Sequence, residues 1–138
     1  MEKRRLYTAR QHMRERFIDM KKLIDPWSVP HFLFGVAVAF SVIVFDLPVF
    51  TIFFAVFFLA LLWERLEQYF RLREAPENVW MDILLPLIAF TTTFFFANGA
   101  DMSDDQNRSL LVISILVYIF VNFFAWRARF EHDRDFQG

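Results

Sequence analysis

The sequence predicts an all-α polytopic membrane protein, with four transmembrane helices preceded by an N-terminal amphipathic helix. Two observations carry most of that prediction. Residues 26–45, 48–63, 79–97 and 109–126 hold almost no charge, and a helix needs about 17–25 residues to cross the bilayer core. Hydrophobic residues make up 57% of the 138-residue chain and 20 of them are Phe. That is more apolar surface than a small soluble core can bury, so lipid is the natural solvent for the excess. A third observation sets the direction of the spans. Trp27, Trp63, Trp80 and Trp126 each fall at the same end of a different run, as amphipathic rings in one headgroup layer would.

Residues 4–24 read as a helix that precedes the membrane. Leu6, Ala9, Met13, Phe17, Met20 and Ile24 recur at spacings of three and four, giving one apolar stripe. The opposite face is mostly basic, which suits a helix lying in the cytoplasmic interface. Asp25 and Pro26 then form a helix-start signal, because Asp caps free amides and Pro fits the first turn. The first span, 26–45, places His31, Gly35, Ala39 and Val42 on one face, and its small residues allow close helix approach. A short link through Asp46 makes the second span, 48–70, its antiparallel neighbour. The third span, 78–97, lines up Asp82, Pro86, Ala89, Thr93 and Ala97, and the fourth, 108–127, lines up Ser114, Tyr118 and Asn122.

Lys and Arg orient these spans. Eight precede Asp25, three (Arg65, Arg71, Arg73) lie between spans two and three, and three (Arg127, Arg129, Arg134) follow span four. Only Arg108 lies on the other side, so both termini are expected in the cytoplasm and residues 99–107 outside. No short apolar run ends in a small-residue cleavage site, so the first run is expected to remain as an anchor in the inner membrane. The chain has no Cys, which excludes disulfides and thiolate metal sites. No glycine-rich phosphate loop, nucleophile elbow or nucleic-acid-binding pattern is present. Asp101, Ser103, Asp105 and Asn107 alternate like the start of a calcium loop, but Gln106 and Val112 stand where Gly and Glu are required. A solvated acidic loop is the better reading.

The spans share a polar layer. His31 is fifteen residues from Asp46, Glu64 sixteen from Pro48, Asp82 sixteen from Asn98 and Asn122 thirteen from Ser109. At about 1.5 Å per residue each lies roughly 20–24 Å from the outer end of its helix. Glu67 lies one turn further along the face of Glu64. An ionised carboxylate in hydrocarbon is unfavourable by about 2.5–3.5 kcal/mol at mid-membrane. These groups therefore do better facing one another, water or a cation. His31, Glu64 and Asp82, with Glu67 and Asn122 at the edge, form a candidate site. His31, Glu64 and Asp82, with Glu67 as a further oxygen ligand, offer nitrogen and oxygen donors to a divalent cation, a mixed set suited to Zn, Mn or Fe more than to Mg. The same groups also suit an acid/base pair or proton carrier. In the plainer alternative, Glu64 and Glu67 snorkel towards Arg65, Arg71 or Arg73 in water.

The order His31-Phe32, Trp63-Glu64-Arg65-Leu66-Glu67 and Glu77-Asn78-Val79-Trp80-Met81-Asp82 resembles the VanZ-like and YjdF-like small bacterial inner-membrane proteins, over about residues 25–90. The resemblance implies a polytopic membrane fold with a polar cluster, and one branch of those families is linked to glycopeptide-antibiotic tolerance at the cell envelope. Three function classes stay open. The leading one is a cytoplasmic-side intramembrane pocket for a cation or a lipid-like headgroup, with an envelope-lipid enzyme as a special case whose reaction is unassigned. The others are a structural or assembly subunit of a larger membrane complex and a small transporter. Membrane lipids are the expected partners, with a small amphiphile or lipid as ligand, no nucleic acid, and an oligomer or complex open.

Overall fold

The structure, a computed structural model, describes residues 28–69 and 76–135. It is all-helical, with no strand among the described residues. Helix α1 spans Ser28–Val44, α2 Val49–Tyr69, α3 Pro76–Gly99 and α4 Asp104–Asp135. Among the described residues, three helices hold segments long and apolar enough to cross a membrane: Val49–Glu67, Val79–Gly99 and Asp104–Arg127. The apolar α1 has 17 residues, about 26 Å of helix. The amphipathic helix 4–24, the Asp25-Pro26 start signal of the first span and Trp27 lie outside the described residues, as does the link 70–75.

The two described turns sit at the same end of the bundle. After α1 the chain closes with Asp46 at φ 50° and the amide of Leu47 donating to the carbonyl of Val42 at 3.0 Å. This is the left-handed cap in which Asp is one of the tolerated residues. Asp101 takes the same conformation, φ 48°, after α3. Helix α4 then starts earlier than the charge pattern suggests. The Ser103 amide donates to Gln106 Oε1 at 2.9 Å, and the Gln106 amide donates to Ser103 Oγ at 3.3 Å. That reciprocal capping box starts a helix at Asp104. Most of the expected acidic loop is thus the first turn of α4, with Asp104 and Asp105 where helix dipoles favour acids.

Helix α1 is the shared core element, packing along both α3 and α4, while α2 packs mainly along α3. Ala39 and Val42 of α1 meet Val56 of α2 and Phe90 of α3 in one apolar cluster; Phe40, Ala97 and Leu111 form another where α1, α3 and α4 meet. Gly35 explains the close α1–α3 approach. A methyl group there would run into the Pro86 carbonyl and lie 2.9 Å from the Ala89 Cβ. The faces Gly35/Ala39/Val42 and Asp82/Pro86/Ala89/Ala97 are buried as their spacing predicts. Val44, the last residue of α1, is half-buried against the second cluster.

The outside is apolar. Phe50, Phe58, Phe95, Phe96 and Phe120 are all exposed, Phe50 at 82%. Exposure of that extent belongs to a lipid-facing surface. Hydroxyls within the helices bond back to their own backbone: Ser41 to Ala37, Thr91 to Leu87 and Ser114 to Leu111, at 2.8–2.9 Å. Such bonds satisfy the hydroxyls locally, as a lipid-exposed helix requires. The carboxylates of α2 and α3 are handled differently.

Candidate metal centre

Three helices each turn one ionisable side chain into the bundle. His31 comes from the second turn of α1, Glu64 from the inner part of α2, and Asp82 from the inner part of α3. Glu64 is 3% and Asp82 1% exposed. One nitrogen or carboxylate oxygen from each of the three lies within 4.8 Å of the other two. His31 Nε2 is 4.0 Å from Asp82 Oδ2. On its other oxygen, Asp82 Oδ1 accepts a hydrogen bond from Ser28 Oγ at 3.0 Å. A buried carboxylate is thereby held on one side by a hydroxyl and faces an imidazole on the other.

The sequence-predicted residues divide at this point. His31, Glu64 and Asp82 converge. Glu67 is buried a turn beyond Glu64, but it accepts a hydrogen bond from its own helix, from Trp63 Nε1 at 3.0 Å. Asn122 is half-buried on α4 and donates to the Tyr118 carbonyl at 2.9 Å; it shares a cavity with His31 and is not among the three converging ligands. The side chains of Glu77 and Asn78 lie outside the description. Ser28 is the residue that sequence reasoning missed. Its signal was its position three residues before His31, on the same helix face.

Donor chemistry and spacing both bear on a metal ion. A tetrahedral ion with bonds of about 2.1 Å sets its ligands about 3.4 Å apart. The three atoms would have to draw in by about an ångström to reach that spacing, a distance that side-chain torsions can supply. Electrostatics favours the closure. Two unit negative charges 4 Å apart repel by about 4 kcal/mol at an effective dielectric constant of 20, and a divalent ion between them reverses the sign of the interaction. The Ser28 hydroxyl would then act as an outer partner that orients Asp82, as such partners do around metal ligands.

Beside the cluster lies a cavity of about 220 Å³. Leu59, Ala60 and Trp63 of α2 line one side, Tyr118, Asn122 and Trp126 of α4 the other, and His31 and Phe34 of α1 complete the lining with Pro30 and Pro86. Trp63 and Trp126 meet edge to face with centroids 6.3 Å apart, and Phe34 and Tyr118 meet at 6.1 Å. The chain matches no protein-family model, no curated protein and no solved structure.

Proposed function

We propose that this chain is an integral inner-membrane protein that binds a divalent cation at His31, Glu64 and Asp82. In this reading the protein spans the bilayer four times, with both termini in the cytoplasm and the site just inside the cytoplasmic boundary. One observation carries the proposal: an imidazole and two buried carboxylates from three helices bring ligand atoms within 4.8 Å of one another in a largely apolar bundle. A bundle gains little from burying two carboxylates side by side unless something positive joins them. Three protein ligands leave a coordination position open, the arrangement of a site that also meets a ligand. The adjoining cavity gives room for the head of a lipid-like molecule. The resemblance to VanZ-like and YjdF-like proteins belongs to the same proposal, since it rests on the same His, Glu and Asp positions.

Elemental analysis of gently purified protein tests this reading. About one divalent ion per chain is expected in the wild type, and its loss in Asp82→Asn and His31→Ala. A folded wild type that holds no ion, and takes up none when Zn or Mn is supplied, overturns it.

A further inference from the structure

The bundle is open along one side. Helices α2 and α4 flank α1 and α3 but share little contact with one another among the described residues, and the 220 Å³ cavity lies in that gap. Four of its ten lining residues carry large aromatic rings: Phe34 from α1, Trp63 from α2, and Tyr118 and Trp126 from α4. They form two interhelical pairs, Trp63 with Trp126 and Phe34 with Tyr118. His31 lines the same space and belongs to the cluster with Glu64 and Asp82. A cavity with several aromatic rings and a carboxylate cluster beside it is complementary to an organic cation, because ring faces attract alkylammonium groups that are too large for tight hydration.

We infer that this cavity binds the quaternary ammonium head of an amphiphile, with its alkyl tail passing out between α2 and α4. Size fits the head alone. The volume corresponds to about seven waters at about 30 Å³ each, room for a trimethylammonium group and its first methylenes. The tail has an apolar exit, since Leu59 and Trp63, which line the cavity on α2, are themselves exposed. With no ion in the cluster an anionic head is disfavoured, because the nearby carboxylates would repel it. The head does not ligate the divalent ion proposed above; the two positive groups draw on the same negative cluster and weaken one another's binding.

Calorimetric titration of the purified full-length chain with hexyltrimethylammonium tests the inference. Its uncharged carbon isostere, with a tert-butyl head, and hexyl phosphate serve as comparisons. The ammonium compound is expected to bind at least tenfold more tightly than either. Trp126→Leu should weaken it fivefold or more, while Trp126→Phe keeps most of the affinity; Phe34→Leu offers a second ring removal in case Trp126→Leu does not fold. Chelation should strengthen ammonium binding, by uncovering the carboxylate charge. Equal binding of the isostere would reduce the cavity to an apolar groove and overturn the inference, as would tighter binding of hexyl phosphate or unchanged affinity in folded Trp126→Leu and Phe34→Leu. The metal reading is judged separately, by the ion content of the same samples. A wild type without an ion defeats that reading alone, and a normal ion content without ammonium preference defeats this inference alone.

Discussion

Asp82 shows most clearly how single residues are constrained in this protein. It is 1% exposed, with Ser28 Oγ on one carboxylate oxygen at 3.0 Å and His31 Nε2 4.0 Å from the other. Hydrogen bonds to charged groups contribute about 1.5–3 kcal/mol, so Ser28→Ala should destabilise the protein by an amount in that range. It should also weaken any bound ion, because Asp82 loses the partner that orients it. Thermal melting together with ion content checks both effects. Asp82 could be found from sequence because a carboxylate among Trp, Met, Ile and Leu has little reason to exist in hydrocarbon. Ser28 could not, because a serine at the head of a span also reads as ordinary helix-start chemistry. Glu67 shows another limit: it accepts a hydrogen bond from the indole of Trp63, a local pairing that depth counting does not see.

At the scale of elements, small residues set how closely helices approach. Gly35 has no space for even one methyl group, since the Pro86 carbonyl and Ala89 Cβ occupy the position. Gly35→Leu should therefore destabilise strongly, and Gly35→Ala by about 1–3 kcal/mol as an overpacked contact. Phe54→Leu, on an exposed surface, should change little. Equal melting of the Gly35 and Phe54 variants in detergent would show that α1 and α3 do not meet through this face. These faces were legible because the small and polar residues recur at helical spacing among Phe and Leu. The start of α4 was not. The seven polar and charged residues 103–109 look like a loop until Ser103 and Gln106 are seen to cap each other, and a capping box is a weak pattern within an already polar segment.

For the whole molecule, the arrangement places the charged cluster towards one end of an apolar bundle. The turns at Asp46 and Asp101 mark the other end. Cysteine introduced at Ser103 should react with an impermeant thiol reagent in intact cells, and cysteine at Gln68 should not; the reverse pattern would contradict the assigned orientation. The central claim is that a divalent ion joins His31, Glu64 and Asp82 and so stabilises three helices at once. An ion at a hundred times its dissociation constant contributes about 2.7 kcal/mol to stability. The most direct measurement is a melting series with and without chelator on wild type and Asp82→Asn. The account predicts that chelation lowers the wild-type melting temperature by several degrees and has little effect on Asp82→Asn. A wild type indifferent to chelator, with Asp82→Asn melting at the same or a higher temperature, would contradict it.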